Sequence, residues 1–164
     1  MWNPLSLLAE TASNVHRQAY AAGLRLLARR EHSIQELCHK LKGRECPAAM
    51  VEQVADELVA EGLLSDRRFA EAYVYNRAGR GFGPLKIQAE LRDRGISDSL
   101  ALAALAELAP DWVASARRQR HKRFHSDRPI DFNARVKQQR FLQQRGFTSE
   151  QSRAAFHRDT DEED

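Results

Sequence analysis

The sequence predicts an all-α protein of three tandem three-helix repeats, stacked into an elongated, curved, solenoid-like molecule. Three observations predict it. Apolar residues recur at helical spacing in one short segment after another. Leu41, Leu91 and Leu142, which close equivalent segments, lie 50 and 51 residues apart, a period typical of helical repeats. No alternating or β-branched run reads as a strand.

Residues 1–15 read as a loosely ordered N-terminal segment with one proline, few charges and a leucine cluster. The first repeat, 16–64, opens with Tyr20, Leu24, Leu27 and Ala28 on one helical face. Ser33 and Glu36 have the capping-box form and start a second helix with Ile34, Leu37, Cys38 and Leu41 inward, ended by Gly43. Pro47 starts a third, with Val51, Val54, Ala55 and Leu58 inward and Gly62 as its stop.

The second repeat, 65–109, carries the most explicit pattern. Asp66 can cap its first helix, on which Phe69, Tyr73 and Arg77 fall four apart. Gly81 and Gly83 break that helix, and Pro84 suits the first turn of the next, where its missing N–H costs nothing. Ile87 and Leu91 give the next helix its buried edge, and Gly95 ends it. Ser97 then caps a helix with Ala101, Ala104, Leu105 and Leu108 inward.

In the third repeat, 110–158, a long helix from about Asp111 holds Trp112, Val113, Ala116 and Phe124, and Ser126, Asp127 and Pro129 break it. Asp131 caps a helix bearing Phe132 and Val136, whose end at Leu142-x-x-Arg145-Gly146-Phe147 repeats the Leu91-x-x-Arg94-Gly95-Ile96 pattern. Thr148 and Gln151 form another capping box before a last helix with Ala155 and Phe156. Residues 159–164 read as an acidic disordered tail.

Composition narrows the function. An apolar fraction of 42% in 164 residues supports a core. No apolar run is long enough to span a bilayer, and the N-terminus lacks the basic region of a secretory signal, so a cytoplasmic protein without membrane contact is expected. Cys38 and Cys46 without a CxxC favour reduced thiols. The net charge is +3, yet the last six residues hold five of the 23 acidic groups, so the body is more basic than the total. A basic body suits a negatively charged partner, with the tail either a competitor for it or a solvated end.

No catalytic site or cofactor is expected, and so no enzyme. Gly81-Phe82-Gly83 follows no strand and lacks the third glycine of a dinucleotide fingerprint, and reads as a helix–helix turn. His121 and His125 have metal-ligand spacing, but no acid accompanies them and neighbouring bases would repel a cation. Cys38 beside His39 has no third partner and reads as a small core residue. Binding remains. Arg117, Arg118, Arg120, Lys122 and Arg123 put five bases in seven residues, more than one helical face, and Arg77, Arg80, Lys86, Arg92 and Arg94 cluster around the central turn. These ten are the candidate contacts to a partner, against the alternative of a solvated surface.

Three stretches resemble the RecX family of bacterial recombinase regulators. They are Leu64-Ser65-Asp66-x-x-Phe69-Ala70-Glu71-Ala72-Tyr73 with Arg80-Gly81-x-Gly83-Pro84-x-Lys86-Ile87-x-x-Glu90-Leu91-x-x-Arg94-Gly95-Ile96, then Lys137-x-x-x-Phe141-Leu142-Gln143-x-Arg145-Gly146-Phe147, then Leu27 to Leu37. The resemblance implies a protein that binds the RecA recombinase and its filament on single-stranded DNA. It would inhibit filament growth, ATP hydrolysis, strand exchange and coprotease activity, and so modulate recombination, DNA repair and the SOS response. By the same resemblance Gly81, Gly83, Pro84, Gly95 and Gly146 shape turns, while Phe69, Tyr73, Ile87 and Leu91 pack. A monomer is expected. The alternative is a stand-alone basic helical DNA-binding module, for which Gln138, Gln139, Gln143 and Gln144 could reach base edges; a structural adaptor is a third reading.

Overall fold

The computed structural model describes residues 4–43, 46–108, 110–125, 129 and 131–157. Among them the chain has no strand and nine helices: α1 (Pro4–Leu27), α2 (Ile34–Lys42), α3 (Ala48–Ala60), α4 (Asp66–Gly79), α5 (Pro84–Arg92), α6 (Asp98–Leu108), α7 (Trp112–Phe124), α8 (Phe132–Gln144) and α9 (Ser149–Ala154). The expected break at Ser126 and Asp127 and the tail 159–164 lie outside the described residues. The chain forms two compact units, Met1–Ala70 with Arg94–Ile96, and Glu71–Asp93 with Ser97–Asp164.

In the first unit α1, α2 and α3 pack on one another around Ala19, Ala22, Leu37, Leu41, Val51, Val54, Ala55, Leu58 and Leu64. Helix α1 begins at Pro4, sixteen residues ahead of the first residue of the apolar stripe, because the stretch from Leu5 to Ala22 contains good helix formers and no glycine or proline. Its buried face is also rotated from the expected one. Ala19, Ala22 and Gly23 are buried, whereas Leu24 is 37% exposed and Ala28 is exposed. Small residues win because α3 comes close: a Cβ on Gly23 would lie 2.9 Å from the Leu58 Cδ1. Tyr20 is half-buried and donates its hydroxyl to Glu61, whose nearby carboxylate raises the phenol pKa.

The start of α2 shows how the cap residues are shared. Ser33 Oγ accepts from Glu36 N at 3.0 Å, and Asp66 Oδ1 accepts from Ile34 N at 2.8 Å. Asp66 therefore caps α2 and not its own helix; Ser65 Oγ takes the Arg68 N–H of α4 instead, at 3.3 Å. The Asp66 pKa is raised by burial, with the bond from Ile34 opposing that shift. Glu36 does not close a capping box, because its carboxylate faces Arg30 at 3.0 Å and Arg94 at 3.5 Å. Ser33 Oγ also donates to Arg94 O at 2.8 Å, and Gly95, at φ +81°, leaves room for the Gln35 side chain against it. This docking explains why residues 94–96 belong to the first unit.

In the second unit α5 packs on α6, and α7, α8 and α9 pack mutually around Ala116, Leu142, Phe147 and Ala155, flanked by Trp112 and Phe141. Ser97 Oγ accepts from Leu100 N and Asp131 Oδ1 from Ala134 N, so both of these expected caps operate, and Asp111 Oδ1 accepts from Ala114 N, a cap that the sequence reading did not name. Thr148 and Gln151 complete a reciprocal capping box. Phe132, expected to share a face with Val136, is 77% exposed.

Candidate functional site

The central turn is fixed by backbone docking. Gly83 N donates to Arg145 O at 2.8 Å and Leu85 N to Gly146 O at 3.0 Å, so the first turn of α5 lies directly on the turn that ends α8. Neither glycine is replaceable by size: a Cβ on Gly83 would come under 3.0 Å from the carbonyl of Gly146, and one on Gly146, at φ +90°, would meet the Lys86 backbone. A counterpart occurs in the first unit, 50 residues earlier on one side and 51 on the other, where the Ser33 side-chain hydroxyl donates to Arg94 O and the Gln35 side chain lies against Gly95. Gly83 and Ser33 are thus equivalent docking points, and the Arg-Gly pairs are the pieces they receive.

Around this turn three cations surround one ring. Arg77 lies 3.7 Å, Arg145 4.9 Å and Lys86 5.1 Å from the Phe82 centroid. Arg77 is also held by Glu90, which receives both a Nε and a guanidinium N–H and the Tyr73 hydroxyl, the last at 2.9 Å. Arg145 donates to Gly81 O at 2.9 Å and Arg80 O at 3.0 Å, and its pKa is lowered by burial and then by Arg77. This cluster is a clamp that closes the turn, with each cation–π contact worth about 0.5–2 kcal/mol.

Helix α7 divides its bases by face. Arg120 is 3% exposed, 4.6 Å over the Phe156 ring, and Arg117 donates to His157 O at 2.9 Å. Arg118, Lys122 and Arg123 are exposed on the other side.

The ten candidate bases therefore separate. Arg120 is not available to a partner, because its stem and guanidinium fill the α7–α9 contact. Arg77 is mostly committed to Glu90, Arg94 faces Glu36, Arg117 is bonded to the carbonyl of His157 beyond α9, and Lys86 is half-buried beside Phe82. Arg92 is exposed but reaches Asp98 at 2.8 Å. Arg80, Arg118, Lys122 and Arg123 are exposed. Phe69, Ile87 and Leu91 are buried, and Tyr73 is half-buried through its bond to Glu90. Among the glutamines considered as base readers, Gln138 is 5% exposed and Gln139 half-buried, leaving Gln143 and Gln144 on the surface.

Arg145 is the residue that sequence reasoning missed. Its signal was present, since it occupies the position of Arg94 in the repeated Leu-x-x-Arg-Gly pattern. His121 and His125 are exposed, and no group of three or more His, Cys, Asp or Glu that could hold a metal occurs among the described residues. Cys38 is half-buried against the first core, and burial raises its thiol pKa. No described helix is long and apolar enough to cross a membrane.

Family models described as the first, second and third three-helix domains of RecX match residues 19–58, 65–105 and 110–156. The chain is 46% identical over 134 residues to the regulatory protein RecX of Halorhodospira halophila (strain DSM 244 / SL1), covering 82% of this chain and 83% of that one. To the regulatory protein RecX of Pseudomonas fluorescens (strain SBW25) it is 39% identical over 159 residues, 96% of this chain and 100% of the relative. Among solved structures, a crystal structure of regulatory protein RecX superposes with a TM-score of 0.81 at 24% identity, covering 93% of this chain and 77% of that one. RecX from Lactobacillus salivarius superposes with a TM-score of 0.75 at 22% identity, covering 87% and 95%. These two likenesses concern the fold.

Proposed function

The chain belongs to the RecX family of regulatory proteins, and from that premise we propose that it binds the RecA recombinase and its filament on single-stranded DNA and inhibits filament growth. ATP hydrolysis, strand exchange and coprotease activity fall as a consequence, which places the protein in the control of recombination, DNA repair and the SOS response. It acts without catalytic chemistry of its own, as a cytoplasmic monomer.

One observation carries this reading: all three family domains match in order along the chain. The exposed bases Arg80, Arg118, Lys122 and Arg123 add the charge that a filament of nucleic acid and acidic protein surface would attract. A stand-alone base-reading module is less well supported, because Gln138 is buried and Gln139 partly so.

Salt separates the two. Binding to bare DNA loses affinity steeply between about 50 and 200 mM salt as counterions are no longer released to advantage. Binding to the RecA–DNA filament, measured by co-sedimentation, is expected to persist over that range. Identical salt slopes with and without RecA would leave only a DNA-binding module.

A further inference from the structure

Within the second unit, the end of α4 and the start of α7 line a cleft of about 590 Å³. Its walls include Tyr75, Arg80, Trp112, Ser115 and Arg118. That volume falls in the about 300–1,000 Å³ range of small-ligand sites. Tyr75 is 69% exposed, two positions on from the half-buried Tyr73, so it plays no part in the packed face of α4. Trp112 closes the other side and is half-buried against the α7–α9 core. Neither Arg80 nor Arg118 has an ion-pair or hydrogen-bond partner for its guanidinium among the described residues. Among the described residues that line the cleft the one carboxylate, Asp111, is already engaged in capping α7 through Ala114 N. Lys122, one turn beyond Arg118, extends the positive charge along α7.

We infer that this cleft binds a short segment of single-stranded nucleic acid, with a base stacked on the exposed Tyr75 ring and the adjoining phosphates held by Arg80 and Arg118. An aromatic face flanked by cations is what an unpaired base and its backbone require, and stacking on it tolerates any base. An acidic protein surface would satisfy the arginines but leave the tyrosine ring without use. The inference deepens the filament reading and takes its setting from it, since the strand inside a recombinase filament is single-stranded. Its chemistry is testable without the recombinase.

The test is fluorescence anisotropy of a labelled oligothymidylate with the full chain, no RecA present. Wild type binds at low salt. Tyr75→Ala weakens binding by about 5- to 100-fold, the loss expected for one stacked base, whereas Tyr75→Trp retains it because only the ring face is needed. Arg80→Gln with Arg118→Gln lowers the slope of log affinity against log salt by about 1.4, two phosphate contacts on a single strand. Lys42→Gln, in the first unit and not among the residues lining the cleft, removes an exposed charge and leaves stacking intact. Circular dichroism checks that each variant is folded.

Wild-type affinity in both Tyr75→Ala and the double arginine variant would overturn the inference, as would absence of binding by the wild type. Variants that bind the oligonucleotide normally yet no longer inhibit RecA would also overturn it, making the cleft a protein interface. Variants that lose the oligonucleotide, in a protein whose wild type leaves RecA untouched, would keep the cleft and defeat the filament reading instead.

Discussion

Replacing Gly83 by alanine isolates the contact on which the central motif rests. The backbone there, φ −87° and ψ 168°, is one that alanine adopts without strain. In a free turn the change would stabilise by about 0.4–1 kcal/mol, through a less flexible unfolded chain. Here the added Cβ meets the Gly146 carbonyl and the Phe147 nitrogen, which are backbone and cannot rotate away. The two turns must separate, which forfeits the Gly83–Arg145 and Leu85–Gly146 hydrogen bonds, worth about 1 kcal/mol each. The misfit itself costs about 1–3 kcal/mol. The net expectation is a loss of about 2–4 kcal/mol, a large part of an ordinary domain's stability. Urea unfolding followed by Trp112 fluorescence, in a Trp2→Phe background, should show the midpoint lowered by on the order of 1–2 M. Gly79→Ala is the control, because a Cβ added there would have nothing within 4 Å and the residue ends a helix; it should match or slightly exceed the parent. A Gly83→Ala midpoint indistinguishable from the parent would refute the docking argument.

Three further outcomes follow from the same structure. Asp66→Ala should cost about 1 kcal/mol through the lost cap on Ile34, while Asp66→Asn keeps an acceptor, sheds the buried charge and stays near wild type; equal losses in the two unfolding curves would contradict this. His32 is 2% exposed, and burial first, then Arg30 and Lys40, hold its pKa below the ordinary value against the bond to Arg30 O and the charge of Glu36. A depressed histidine is protonated more readily in the unfolded chain, so its contribution is complete above about pH 6.5 and is lost as pH falls below it, by at most about 1.4 kcal/mol per unit; His32→Gln should flatten that part of the stability–pH curve. Arg77→Gln should lower stability by about 2 kcal/mol, by breaking its bonds to Glu90, and leave oligonucleotide affinity within about twofold; a large affinity loss at unchanged stability would return Arg77 to the contact surface.

Much of the fold was legible because its signals are local. Ser33, Ser97, Asp131 and Thr148 each cap the helix that follows them, and a cap needs only its own next turn. Asp66 shows where that logic stops: its carboxylate was free to take a donor 32 residues away once α2 and α4 were folded, and a serine beside it did the local work. The stripe on α1 was misplaced for a related reason, since hydrophobic size favoured Tyr20 and Leu24, whereas close approach of α3 favoured Ala19, Ala22 and Gly23. For the site, sequence marked basic positions but could not rank them. Arg118 and Arg120 are two residues apart in one charged run, yet one faces solvent and the other lies over Phe156, a ring supplied by the turn that follows α9. Tyr75 was likewise one aromatic among several until its exposure beside Arg80 and Arg118 set it apart.

The most direct test of the regulatory role is RecA ATP hydrolysis and strand exchange on single-stranded DNA, with this protein added first below and then up to the RecA concentration. Loss of both activities at amounts too small to cover the DNA is the expected result. Activities that hold until the protein saturates the DNA, or that never fall, would contradict it and leave a protein whose bases serve nucleic acid alone.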